Sequence, residues 1–236
     1  MQKVIIGDAT LYCGDSMEIL PTLGECADLI VTDPPYKLTS GGNVKYADWH
    51  LAHDYDNSGS IVECNIDWSD FMPHLYNCLR GDSHAYIMAN NRHVQAMLTE
   101  AEKAEFRFHN LLIWDKGTAT PNRWYMKNLE FIGFFYKGKA KFINDCGSKQ
   151  LIQVAQENYG NHPTTKPVAL MEYYIRNSSQ VGDTVIDPFM GVGSTAIAAL
   201  KSGRKFIGIE LEQKYFDLAC KRITDYYEQP KQNNLI

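Results

Sequence analysis

The sequence predicts an α/β fold, and three observations carry that expectation. Strand-like apolar runs alternate with helical stretches along most of the chain, whose 236 residues suit one α/β domain with a sizeable core. Residues 183–227 read as strand, glycine turn, helix, strand and closing helix, a complete βαβ unit. The apolar run at 27–32 ends abruptly on Asp33-Pro34-Pro35-Tyr36, as a buried strand does when it meets residues that cannot join a ladder.

In chain order, residues 1–15 read as a hairpin. Val4-Ile5-Ile6 and Thr10-Leu11-Tyr12-Cys13 flank a Gly7-Asp8 turn, and Gly14-Asp15 closes the second strand. A short helix at 16–23 follows with Ser16 as its expected N-cap, then the strand before Asp33. Residues 37–66 are rich in Gly, Asn, Ser, Asp and His with little periodicity, which suits a functional lid or binding loop better than a connector. His50, His53, Asp54 and Asp56 lie in this stretch, where a polar loop explains them better than a metal site does. Helices are expected at 68–78 and 91–104, and strands at 84–89, 108–115 and 129–137. Residues 142–159 look irregular. Pro167 suits the first position of a helix over 168–178.

Asp33-Pro34-Pro35-Tyr36 carries the first chemistry. Asp33, preceding a proline, is held extended, so the turn fixes a carboxylate, backbone carbonyls and an aromatic ring at the carboxyl end of a strand, where open α/β sheets bind ligands. An exocyclic amine is a poor nucleophile while its lone pair is delocalised into a base ring. The Asp33 side chain and Pro34 carbonyl are suited to accept its two N–H bonds, and Tyr36 to stack on the base. The plain alternative is a rigid turn whose Asp caps the next segment.

The second chemistry lies in the βαβ unit. Asp187-Pro188-Phe189 precedes Gly191-Val192-Gly193-Ser194-Thr195-Ala196, and Glu210 ends the second strand. Glycines allow close backbone approach to a nucleoside ligand, and the terminal acid suits ribose hydroxyls. The glycine spacing also satisfies the dinucleotide pattern, so a nicotinamide or flavin oxidoreductase is the rival. Against it, only one helix follows the unit, whereas a dinucleotide fold needs a second half, and Asp33-Pro34-Pro35-Tyr36 has no role in hydride transfer. Asp187 places a carboxylate where the ammonium of a methionyl group would lie. Thr164, Thr165 and Lys166, before Pro167, offer hydroxyls and a cation near a helix start.

Composition narrows the partners. The six cysteines form no C-x-x-C pair, which argues against zinc or a disulfide framework and fits a reducing cytoplasm. The N-terminus, short of apolar residues and broken by Gly7 and Asp8, is not expected to be a signal peptide, and no apolar run approaches membrane-spanning length. The net charge of -5 is awkward for a nucleic-acid binder. Its distribution matters more: residues 114–149 carry Lys116, Arg123, Lys127, Lys137, Lys139, Lys141 and Lys149 against Asp115, Glu130 and Asp145, interleaved with Trp114, Trp124 and Tyr125. That mix suits phosphates and exposed bases, although each residue is equally compatible with an ordinary solvated surface over core aromatics.

The paired motifs resemble those of the DNA amino-methyltransferases that act on adenine N6 or cytosine N4, in the β-type order with the catalytic motif first and the cofactor motif last. The resemblance covers nearly the whole chain. It implies a seven-stranded, mostly parallel Rossmann-like methyltransferase sheet with helices on both faces and a circularly permuted motif order, as one domain. It implies S-adenosylmethionine as cofactor, S-adenosylhomocysteine as product and no metal. Asp33, Pro34, Pro35 and Tyr36 then form the catalytic turn. Asp187, Pro188, Phe189, Gly191, Gly193 and Thr195 surround the methionyl part, Glu210 binds the ribose, Asp15 lies near the adenine, and Thr164, Lys166 and Pro167 precede the first cofactor helix. Asp at the first motif position resembles the adenine-N6 enzymes more than the cytosine-N4 enzymes, where Ser is commoner.

One departure bears on specificity. Larger relatives carry a substantial recognition region where this chain has only residues 139–161. Site recognition is therefore expected from that short segment, from 37–66, or from a second subunit, or else to be weak; a short recognition site or a homodimer is the reading adopted. An RNA methyltransferase or a binding module without activity are the weaker alternatives. No endonuclease motif is evident.

Overall fold

The computed structural model describes residues 1–35, 66–120, 125–157, 159 and 165–228. The expectations placed on Tyr36, on 37–65, on Arg123 and Trp124, and on Thr164 fall outside the described residues.

The hairpin forms as expected. β1 (Gln2–Ile6) and β2 (Ala9–Cys13) pair antiparallel, with Ile6 opposite Ala9 and Gly7 at φ 54° in the two-residue loop. In α1 (Ser16–Leu23) the expected cap is corrected: Asp15, not Ser16, is the N-cap, and its carboxylate accepts from the Met17 N–H at 2.8 Å. Ser16 is the first helical residue, and its hydroxyl donates to the Pro188 carbonyl.

β3 (Ala27–Thr32) has Leu29, Ile30 and Val31 fully buried, which is why it reads as an unbroken apolar run rather than an alternating one. After α2 (Trp68–Cys78), β4 (Leu79–Ala89) begins at once, five residues earlier than the apolar pattern suggests. α3 (Val94–Lys103) leads to β5 (Arg107–Thr120) and β6 (Lys127–Lys137). A three-residue β7 (Leu151–Gln153) sits in the stretch read as irregular; it is too short to show a pattern and is defined by pairing with Ile113, Trp114 and Asp115. Then come α4 (Val168–Ser178), β8 (Thr184–Asp187), α5 (Ser194–Lys201), β9 (Lys205–Glu210) and α6 (Gln213–Glu228).

Among the described residues nine strands form one sheet in the order β1-β2-β9-β8-β3-β4-β6-β5-β7. The expected count of seven is exceeded by the two edge strands, β1 and β7. Strands β2, β9, β8, β3 and β4 run parallel, and β6 is antiparallel to both β4 and β5. Helices cover both faces: α4, α5 and α6 pack with Leu29, Val31 and Val185, while α1, α2 and α3 pack with Ile30, Ala85 and Ile186. Burial of each such Leu, Ile or Val side chain contributes about 1.5–3 kcal/mol. Among the described residues no helix is long and apolar enough to cross a membrane.

The order creates a switch point. From β3 the chain crosses through α2 to β4 on one side, and from β8 through α5 to β9 on the other, with the two helices on opposite faces. β3 and β8 are direct neighbours despite their separation in sequence. Their carboxyl ends diverge at the crevice where such sheets bind ligands.

Candidate active site

Because β2, β9, β8 and β3 are parallel, their carboxyl ends share one edge. That edge gathers Asp15, Glu210, Asp187 and Asp33, each just past or at the end of its strand. β6 runs the other way, so its beginning, with Glu130, reaches the same edge beside β4, where Phe131 pairs with Ala89.

Asp33 lies one residue beyond β3, followed by buried Pro34 and exposed Pro35. Its Oδ2 accepts from the Lys166 ammonium at 2.5 Å, and Lys166 is only 8 % exposed. Oδ1 is buried and has no hydrogen-bond partner among the described residues. A buried acceptor without a partner is rare and costs about 1–3 kcal/mol, so it marks a site shaped for something else. Lys166 also approaches Glu130 Oε2 at 3.4 Å, and Lys116 lies 3.3 Å from Glu130 Oε1. Burial pushes the Asp33 carboxyl upward; Lys166 pulls it down and Glu130 pushes it up, leaving it above its ordinary value.

Asp187 is buried and fully engaged. Oδ1 accepts from the Thr32 hydroxyl at 2.7 Å and the Phe189 N–H at 3.1 Å, and Oδ2 from the Thr195 hydroxyl at 2.7 Å. Burial is the main reason its pKa is pushed up to about 6; the three donors pull the other way. Asp187 thus ties the glycine turn to the strand that presents Asp33.

The turn itself has Gly191 at φ 53° and Gly193 at φ 80°, both left-handed, with Gly193 as N-cap of α5. Glu210 braces it: Oε2 accepts from the Gly191 N–H at 3.0 Å and Oε1 from the Glu212 N–H at 2.8 Å. Burial raises the Glu210 pKa, and these backbone donors lower it. The Gly14 N–H donates to the Glu210 carbonyl at 2.9 Å, which brings Asp15 beside it. Phe189 meets Phe71 edge to face, with centroids 5.3 Å apart.

The start of α4 corrects another expectation. Pro167 is the N-cap, at φ -62° and ψ 133°, rather than the first helical residue. Lacking a side-chain acceptor, it leaves the Val168 N–H to Glu157 Oε2 at 3.1 Å. Gln156 donates to the Thr165 carbonyl at 2.5 Å, so residues 156–157 are tied to the helix that follows Lys166.

The basic segment divides. Trp114 is fully buried and donates to the Val154 carbonyl at 2.8 Å, so it offers no stacking face. Lys116 turns to Glu130, and Lys137 to Glu25 and the Tyr76 and Leu79 carbonyls. Lys127, Lys139, Lys141 and Lys149 are exposed, as is Tyr125.

Thr32, Glu130 and Lys116 are the site residues that sequence reading missed. Glu130 left a trace, as an acid inside the aromatic run of β6; Thr32 left none, since a threonine at a strand end is ordinary.

A doubly wound sheet with a carboxylate turn and a glycine turn at its switch point defines a class of nucleoside-dependent transferase folds. Within it the chain belongs to the DNA methylase family, whose profile matches residues 27–160 and 142–221. It is 27% identical over 228 residues to the type II methyltransferase M2.DpnII of Streptococcus pneumoniae, spanning 84% of this chain and 83% of that protein. The crystal structure of the M1.HpyAVI–SAM complex superposes with a TM-score of 0.71 at 26% identity, covering 91% of this chain and 99% of that one. The PvuII DNA methyltransferase, cytosine-N4-specific, shares the fold with a TM-score of 0.69 at 19% identity over 93% of this chain and 91% of its own.

Proposed function

We propose that this chain methylates the exocyclic N6 of adenine in DNA. The observation that carries methyl transfer to an amine is Asp33 Oδ1, a buried acceptor without a partner among the described residues, at the switch point beside the glycine turn; Asp rather than Ser at that position favours adenine. The DNA methylase family match and the SAM-bound relative support S-adenosylmethionine as cofactor.

The residues present fit that cofactor. The left-handed glycines and the start of α5 would let backbone approach the methionyl group, Glu210 at the end of β9 would take the ribose hydroxyls, and Asp187, Pro188 and Phe189 would line the site between cofactor and Asp33. Asp15 flanks the adenine end. Lys166 and Pro167 stand on the side of Asp33, and Lys166 spends its nearest contact there. S-adenosylmethionine supplies a sulfonium methyl and leaves as S-adenosylhomocysteine, with the electron pair of the broken S–C bond on sulfur.

Asp33 Oδ1 and the Pro34 carbonyl accept the two N–H bonds of the amine and turn its lone pair towards the methyl. The ionised Asp33 stabilises the positive charge that gathers on nitrogen as the N–C bond forms. The surplus proton leaves along the Asp33 hydrogen bond towards solvent. Most of the acceleration comes from positioning. In duplex DNA the base must be flipped out of the stack, with Tyr36 as its stacking partner. The exposed lysines of 114–149 are suited to DNA phosphates, and site recognition falls to the short segment 139–161, to 37–66 or to a second subunit, or else is weak.

The test is transfer from labelled S-adenosylmethionine to unmethylated DNA, with nucleoside analysis. N6-methyladenine from the wild type, and a loss of about a hundred-fold or more in Asp33→Ala, is the expected outcome. Cytosine N4 is the second reading, favoured by the shared fold of the PvuII enzyme, and N4-methylcytosine in the product would establish it instead.

A further inference from the structure

We propose that Lys166 is the positioning residue for Asp33: held by Glu130, its ammonium fixes Oδ2 and so leaves Oδ1 turned towards the attacking amine. The proposal rests on the reading of Asp33 as that amine's acceptor, and it assigns Lys166 to the catalytic carboxylate rather than to the cofactor.

Three observations carry it. The Lys166–Asp33 contact is a part-buried ion pair at 2.5 Å, with Lys166 8 % and Asp33 22 % exposed, linking the residue before the α4 N-cap to the residue after β3 across the sheet edge. Lys166 is shared with Glu130 at 3.4 Å, and Glu130 with Lys116 at 3.3 Å, so the charges alternate in sign along Asp33, Lys166, Glu130 and Lys116. Only one Asp33 oxygen is engaged; the other is buried without a partner among the described residues.

The consequence follows from the chemistry of the groups. The terminal torsion of an aspartate is broad and nearly two-fold, so an unpinned carboxylate does not hold one oxygen on target. A strong charge-assisted hydrogen bond to Oδ2 removes that freedom. The ammonium also separates two carboxylates. Without it, Asp33 would face the Glu130 carboxylate with no cation between them, and the Asp33 carboxyl would hold its proton to higher pH. A protonated Asp33 would present an O–H where the amine needs an acceptor. Glu130 in turn keeps Lys166 from swinging out of the site.

The experiment uses the full chain with Lys166→Met, Lys166→Arg and Glu130→Gln. It reads three quantities: S-adenosylmethionine affinity by calorimetry, the Asp33 titration midpoint by carboxyl 13C NMR assigned with Asp33→Asn, and the single-turnover rate of DNA methylation against pH at saturating cofactor. In Lys166→Met we expect affinity within about three-fold of wild type, an Asp33 midpoint at least about one pH unit higher, and an acid limb of the rate profile displaced by the same amount. The rate at neutral pH then falls about a hundred-fold, and Lys166→Arg retains most of it. Glu130→Gln removes a neighbouring negative charge but keeps a side-chain oxygen to hold Lys166, so it should move the Asp33 midpoint down, and it keeps the test alive should Lys166→Met not fold.

An unmoved Asp33 midpoint in both variants overturns the proposal. So does a loss of S-adenosylmethionine affinity with the saturated rate intact, which would make Lys166 a cofactor contact. If the wild type methylates no DNA although the Asp33 midpoint still responds to Lys166, the methyl-transfer reading fails and takes the positioning role with it.

Discussion

Asp187 shows how much one side chain can organise. Its three donors come from β3, from the turn after β8 and from α5, so its carboxylate joins the two halves of the site. Removing the Thr195 hydroxyl by Thr195→Val should cost about 1–3 kcal/mol of unfolding free energy, since it leaves a buried carboxylate oxygen short of a donor; chemical denaturation measures it. The pH dependence follows from the raised pKa. Protons bind Asp187 more tightly in the folded than in the unfolded chain, so its favourable contribution is full below about pH 4 and is lost as pH rises through about 6. Over that window Asp187 should withdraw about 3 kcal/mol, and Asp187→Asn should flatten that part of the stability profile. At the same scale, the sequence showed Asp33, Asp187 and Glu210 as separate acids. That Thr32 holds one and Lys166 another could not be read, because their partners stand 155 and 133 positions away.

Among the elements, α4 illustrates what a short segment can contribute. Its first N–H is satisfied by Glu157, from the stretch suited to recognition, rather than by its own cap residue. Glu157→Ala should destabilise the helix start by about 0.5–2 kcal/mol, seen as faster hydrogen exchange at Val168 than at Tyr174. The α5 start makes a second demand. Gly193 sits at φ 80°, and a Cβ there would lie 3.4 Å from the Ala219 Cβ. Gly193→Ala should cost about 1–3 kcal/mol of backbone strain and weaken S-adenosylmethionine binding, whereas Gly182→Ala, at a surface turn with open space around it, carries strain without the binding loss. Most helix and strand positions were legible because each buries a patterned face. The helix starts were not: Asp15 rather than Ser16 caps α1, and Pro167 is the cap rather than the first residue of α4 with Glu157 taking the Val168 N–H, both of which depend on reach in three dimensions.

For the whole molecule, His84 works against Asp187 as pH falls. It is buried in β4, with Nδ1 2.9 Å from the Ser178 hydroxyl of α4, and burial lowers its pKa to about 4. The unfolded chain therefore takes up that proton first, so the contribution of His84 is intact above about pH 6.5 and is lost as pH falls towards 4. His84→Gln should make the protein less sensitive to acid over that range, as melting temperatures at stepped pH would show. The net charge of -5 does not preclude DNA binding when Lys127, Lys139, Lys141 and Lys149 are exposed within one segment. Their combined replacement by Gln should reduce the dependence of DNA affinity on salt concentration, as fewer phosphates would be neutralised.

By itself the sequence determined the alternation of strand and helix, the two motif turns and the family they resemble. These rest on local facts: apolar runs, prolines that end a strand, glycines that permit a left-handed turn. It also showed the hairpin whose first strand becomes one sheet edge, but not the brief β7 at the other. Tertiary structure alone decided which charges meet. Parallel strands bring Asp15, Asp33, Asp187 and Glu210 to a common edge, and the reversed β6 adds Glu130. Trp114, read as a platform for bases, is instead core, because its ring is fully buried in the cluster it shares with α4 residues and its indole N–H donates to the Val154 carbonyl. Ion pairing and burial are properties of distance and dielectric between remote segments, and neither is written in the spacing along one chain.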